Sequence, residues 1–102
     1  MLSGISNKGN LEIDEGAVTA LQGNKTSLLP AGVLSCQGGF DRGDIVYIRD
    51  AEGNNIAVGI SNYASMDICK IQNLKSDRIE AMLGYYYGDE VIHRDNMVML
   101  ND

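Results

Sequence analysis

The stretch SLLPAGVLSCQGGF, residues 27 to 40, places the only proline of the chain inside an apolar run and follows it closely with glycine. Pro30 has no N–H and biases Leu29 to an extended backbone, so Leu28-Leu29 does not continue a helix. Gly32 removes a side chain where the path turns or meets another segment closely, and Val33-Leu34-Ser35-Cys36 then reads as a strand. The stretch is therefore a loop that bends into a strand, with Leu28 and Leu29 expected to anchor it in the core.

Upstream, Leu11-Glu12-Ile13 alternates as a brief strand, and Asp14 is placed to accept orphan N–H bonds at the start of a helix. Ala17, Val18 and Leu21 line one face of that helix, which Gly23-Asn24 ends. Downstream, Phe40 to Asp44 reads as a turn and Ile45-Val46-Tyr47-Ile48 as a strand rich in β-branched residues. Asp50-Ala51-Glu52-Gly53-Asn54-Asn55 is a hairpin connection, and Ile56 to Ile60 returns as the partner strand. Gly59 inside that strand suggests a bulge or a close approach by another segment.

Beyond it, Ser65 is expected to cap a short turn through Cys69. Asp77-Arg78-Ile79-Glu80 is expected to form a capping box for a second helix lined by Ile79, Met82 and Leu83 and stopped by Gly84. Glu90 to Arg94 and Met97 to Leu100 supply one or two closing strands. The count is five or six short strands with two short helices, a mainly β (α+β) pattern that predicts a small mixed or antiparallel barrel. Residues 1 to 8 read as a tail or linker remnant, 9 to 100 as one domain, and 101 to 102 as a C-terminal tail.

The whole composition agrees with a single domain: 102 residues, 44% hydrophobic and 22% charged, with 12 glycines falling mainly between apolar runs. No apolar run approaches the ~18 residues of a membrane span, so no membrane partner and a cytoplasmic location are expected. Cys36 and Cys69 are expected as free, largely buried thiols. With 8 basic and 14 acidic residues the formal charge is −6, which argues against strong, independent binding of phosphate backbones.

The chemistry-bearing patterns are sparse. Gly23-Asn24-Lys25-Thr26 lacks the glycine spacing of a phosphate loop, and Pro30 cuts off the helix that such a loop needs. His93-Arg94-Asp95 matches a fragment of the protein-kinase catalytic loop, but Leu100 stands where the asparagine of that loop belongs. A lone histidine and two distant cysteines make no metal cluster, and the paired carboxylates sit in turns that explain them. No catalytic, cofactor or metal residue is assigned. The feature with some pull toward RNA is Lys70, Lys75 and Arg78 near the second helix, with Arg94 further on and Tyr85 to Tyr87 offering rings.

Taken in order and spacing, LEIDEGAVTAL (11 to 21), SLLPAGV (27 to 33), GGFDRGDIV (38 to 46), GISNY (59 to 63) and LGYYYGDEVIHRDNMV (83 to 98) resemble the C-terminal domain of the glutamate 5-kinase family. That domain is of the PUA type, named for pseudouridine synthase and archaeosine transglycosylase. The resemblance covers about residues 9 to 100 and implies a PUA-like pseudo-barrel. It further implies a non-catalytic accessory role beside an N-terminal amino-acid-kinase domain that takes ATP and Mg2+ and phosphorylates the side-chain carboxylate of glutamate, the first step of proline biosynthesis. Subunit contacts in a homo-oligomer come with that picture. An RNA-binding module is the alternative that the resemblance carries. By position in the pattern, the contact surface implied is Leu29, Pro30, Ala31 and Gly32 with the Arg78 and His93 regions, and Lys70 and Lys75 join it from the basic feature read in the residues themselves.

Overall fold

The computed structural model describes residues 9–24 and 26–100. The expected tails 1 to 8 and 101 to 102, and Lys25 of the turn after the first helix, lie outside the described residues. Strand β1 is Gly9–Ile13, and alternation buries Leu11 and Ile13 while Glu12 stays half-exposed. Asp14 then caps helix α1, Glu15–Thr19, its carboxylate Oδ1 accepting from the Ala17 N–H at 2.7 Å. The helix widens into a π-helical turn, Ala20–Asn24. Pro30–Gly32 is a 3-10 turn that feeds strand β2, Val33–Gly38.

Strands β3, Ile45–Arg49, and β4, Asn55–Ile60, form the hairpin, and their middle residues are buried on both faces. Helix α2, Ser65–Ile71, is followed by a 3-10 turn, Ser76–Arg78, that runs directly into helix α3, Ile79–Leu83. A last 3-10 turn, Arg94–Asn96, leads to strand β5, Met97–Met99. Two expected caps are not formed: neither α2 nor α3 has a side-chain cap bond, and Ser65 is already the first residue of α2. The preceding 3-10 turn occupies the residues on which a capping box at Asp77 would depend.

The sheet order is β2-β1-β3-β4-β5, with β1 and β3 parallel and every other pair antiparallel. The expected barrel, or pseudo-barrel, is therefore corrected to an open five-stranded sheet. Closure needs an unbroken ladder around the circumference, and β2 and β5 are outer strands with no ladder between them. At three residues β5 spans only ~10 Å and pairs with β4 alone. Residues Glu90 to Arg94, expected as a strand, contribute a single bridge between Ile92 and Leu28. The two expected helices are likewise corrected to three short α-helices with 3-10 and π turns between them.

One continuous core lies between sheet and helices, built from Leu11 and Ile13 of β1, Ile48 of β3, Ile68 and Ile71 of α2, and Ile79 of α3. Gly59 of β4 lets the 92–97 segment cross closely. A Cβ there would stand 2.9 Å from the Asn96 carbonyl oxygen and 2.8 Å from Ile92 Cγ2, too near for any side chain.

Candidate functional site

The 26–32 loop and helix α1 enclose a cleft of about 370 Å3, walled by Asp14, Ala17, Leu21, Leu29, Ala31 and Gly32 among others. Its geometry follows from how the two walls are pinned. The Asp14 N–H donates to the Gly32 carbonyl at 3.0 Å, which holds the start of α1 against the end of the 3-10 turn. Gly32 is needed there because a Cβ would fall 2.7 Å from the Ala17 Cβ. On the outer side, the Asn73 N–H after α2 donates to the Pro30 carbonyl at 2.8 Å. The bend at Pro30 is therefore clamped from both sides.

Leu28 and Leu29 separate at this point. Leu28 is buried, and its backbone exchanges bonds with the far segment: its N–H donates to the Ile92 carbonyl at 2.9 Å and its carbonyl accepts from the Val91 N–H at 2.7 Å. Leu29, expected as a second core anchor, is 45% exposed and forms part of the cleft wall. Its backbone is extended (φ −99°, ψ 153°), and in extended chain successive side chains point to opposite sides. One leucine inside puts the next outside.

A smaller hollow of about 120 Å3 shares Leu21 and Thr26 with the cleft and reaches Arg94, Met97 and Met99. The Arg94 N–H donates to Ser27 Oγ at 3.0 Å, joining this end to the loop. Among the described residues, Arg94 is thus the basic residue that the fold brings to the groove. Lys70, in the last turn of α2, Lys75 and Arg78 are all exposed but line neither hollow. His93 sits beside Arg94, its Nδ1 accepting from the Asp95 N–H at 3.1 Å and its Nε2 3.9 Å from Glu90 Oε1. Sequence reading assigned Asp14 only a capping role, and nothing local signals that the same residue faces the cleft.

The tyrosine run belongs to a different feature. The buried Tyr63 hydroxyl donates to the Gly88 carbonyl at 2.7 Å and accepts from the Tyr87 N–H at 2.9 Å. The Tyr87 ring is flanked by Tyr63 and Tyr85, with centroids 5.4 and 5.2 Å away, and the Arg42 guanidinium sits 4.0 Å from its centre. The Tyr86 hydroxyl donates to the Asp89 carboxylate, and the neighbouring Asp67 and Asp89 carboxylates push the Tyr85 and Tyr86 phenols up to about 12. Rings engaged in this way and edged by carboxylates are poorly arranged to stack the bases of a polyanion. Both cysteines are free thiols, but neither is largely buried: Cys36 is half-buried and Cys69 is exposed. Among the described residues, no three His, Cys, Asp or Glu side chains gather as metal ligands, and no helix is long and apolar enough to cross a membrane.

An open sheet with the loop-and-helix cleft at one end defines a class, and the PUA domain family matches residues 9–83. The chain belongs to the PUA domain family. Its curated relatives are glutamate 5-kinases: it is 46% identical over 100 residues to that of Dehalococcoides mccartyi strain 195, 49% over 94 residues to that of Syntrophotalea carbinolica, and 48% over 92 residues to that of Thermus thermophilus. These alignments cover 98%, 92% and 90% of the chain. The chain spans only about a quarter of the relatives' length, at 27%, 25% and 25%. Among solved structures, a PUA domain from Aeropyrum pernix K1 in a tartrate complex superposes with a TM-score of 0.60 at 25% identity, over 84% of this chain and 41% of that one. The archaeal box H/ACA sRNP Nop10-Cbf5 complex superposes with a TM-score of 0.56 at 22% identity, over 62% of this chain and 20% of that one. This second likeness concerns the fold.

Proposed function

We propose that the chain is the non-catalytic accessory domain of a glutamate 5-kinase. The observation that carries this reading is 46% to 49% identity with glutamate 5-kinases across nearly the whole chain. Phosphoryl transfer from ATP to the glutamate side-chain carboxylate, with its Mg2+, then belongs to an amino-acid-kinase domain elsewhere in the polypeptide, in a cytoplasmic setting. The contact surface is the cleft wall of Leu29, Ala31 and Gly32 over the clamped Pro30, with Lys70, Lys75, Arg78 and His93 as flanking polar contacts. An exposed leucine in an apolar cleft suits a protein neighbour, either the kinase domain or a second subunit, better than it suits a phosphate chain.

The second reading, an RNA-binding module, is favoured by one observation: Arg94 lies at the end of the groove. Against it stand the net charge of −6 and the carboxylate of Asp14 in the cleft wall. Weak RNA affinity at most is the consequence.

The test has two arms. The purified chain, given glutamate, ATP and Mg2+, is expected to form no glutamyl phosphate trapped as its hydroxamate. The polypeptide that carries the chain is expected to retain measurable glutamate phosphorylation when residues 9 to 100 are deleted. Hydroxamate above blank from the chain alone would overturn the reading, as would complete loss of phosphorylation by a deletion variant whose remaining domain is still folded.

A further inference from the structure

The two cysteines lie on separate elements, and the packing of α2 on β2 brings the first turn of α2 to Cys36. Cys36, on β2, donates its thiol to the Ser65 carbonyl at 3.5 Å. The same turn of α2 is fastened to the chain just beyond β2: the Ser65 N–H donates to the Phe40 carbonyl at 2.8 Å, and the Phe40 N–H donates to Ser65 Oγ at 3.3 Å. In an α-helix, residue i+4 lies on the same face as residue i, one turn further along. Cys69, one turn beyond Ser65, therefore lies on the side of α2 whose Ser65 carbonyl the Cys36 thiol reaches. Its own surface is open to solvent.

We infer that Cys36 and Cys69 form a redox-sensitive dithiol site that closes to an intramolecular disulfide between β2 and α2 when a low-molecular-weight disulfide reaches Cys69. In the first step the Cys69 thiolate attacks one sulfur of the small disulfide. That S–S bond breaks, one small thiolate leaves, and a mixed disulfide remains on Cys69. In the second step Cys36 loses its proton to solvent and attacks the Cys69 sulfur, expelling the second small thiolate. Two protein thiols are oxidised to one disulfide, and one small disulfide is reduced to two thiols.

The order of the steps follows from the surroundings. Burial, together with Cys69 beside it, pushes the Cys36 thiol up to about 12, so it stays protonated near neutral pH and is a poor first nucleophile. Cys69 is the thiol that a dissolved oxidant can reach. Once Cys69 carries the mixed disulfide, Cys36 attacks within the molecule, where position replaces concentration. A two-thiol metal site is the weaker use of this pair, because no third ligand stands near it among the described residues. The cross-link would tie the outer strand β2 to the helix whose C-terminal end holds Pro30 through Asn73, stiffening the frame behind the cleft.

The test is to incubate the native chain with oxidised glutathione at about pH 8, then to quench with acid and measure intact mass. The expected product has lost two hydrogens and retains no glutathione, and a non-reducing peptide map joins the Cys36 and Cys69 peptides. Cys36→Ser is expected to retain glutathione on Cys69, and Cys69→Ser to react at least about tenfold more slowly. The oxidised chain is expected to unfold about 5 °C or more above the reduced one. Accumulation of a doubly glutathionylated chain, disulfide-linked dimers, or closure only after unfolding in urea would each overturn the inference.

Discussion

The β3–β4 hairpin and the seam where residues 27–32 meet residues 91–97 are held by opposite kinds of information. In the hairpin, Asp50 Oδ1 accepts from the Glu52 and Asn54 N–H groups at 2.9 Å each, and the turn closes within a few consecutive residues. In the seam, Leu28 pairs with Ile92, and Arg94 bonds Ser27 across a separation of 67 residues. The first is written in local turn chemistry, while the second exists only once the rest of the core has assembled. The candidate site lies on the second kind of structure, so its shape depends on remote packing more than on its own residues.

The sharpest way to break this contrast is at the seam. Leu28→Ala is expected to cost about 2–5 kcal/mol, through lost burial plus the cavity left behind, whereas its neighbour Leu29→Ala is expected to stay within about 0.5 kcal/mol as a surface change. Urea unfolding of the two variants measures both. Equal losses would mean that the seam is not anchored on one side only.

Tyr63→Phe comes next, because it removes the hydroxyl that joins the Gly88 carbonyl to the Tyr87 N–H. A loss of about 1–3 kcal/mol is expected for leaving these groups unpaired, with the Tyr85–Tyr87 segment gaining hydrogen exchange before the sheet does. In the hairpin, Asp50→Ala is expected to have the smallest effect of these substitutions on buried or paired groups, since the carboxylate is exposed and water replaces it. The Asp50 pKa lies below the usual carboxylate value because the Asn54 N–H, the Asn54 side-chain amide and the Glu52 N–H donate to the carboxylate. The turn's contribution is therefore present at neutral pH and lost as pH falls through that depressed pKa. An Asp50→Ala loss larger than that of Leu28→Ala would reverse the comparison.

The same contrast explains what the sequence made legible. The hairpin and the Asp14 cap rest on residue chemistry at fixed short offsets, a glycine inside a strand signals the close approach at Gly59, and each is found in the structure. The closed barrel was not justified, because a run such as Glu90 to Arg94 can look like a strand while its partners choose a single bridge. The pair Leu28-Leu29 could have been divided in advance, since Pro30 forces extension and extension alternates sides. Lys70, Lys75 and Arg78 are close in sequence and read as one basic feature, yet among the described residues it is Arg94, much further along, that reaches the groove. The meeting of Cys36 and Cys69 was hidden for the same reason, since it depends on how α2 lies on β2.

The proposed role of this PUA domain is to serve its polypeptide through protein contacts, with RNA binding weak at most. Fluorescence anisotropy with structured and single-stranded RNAs, at the physiological ionic strength of about 0.15 M, tests it most directly. The expected result is non-specific binding at ~10⁻⁴ M or weaker. A sub-micromolar affinity that falls when Lys70 and Arg78 are neutralised would contradict it.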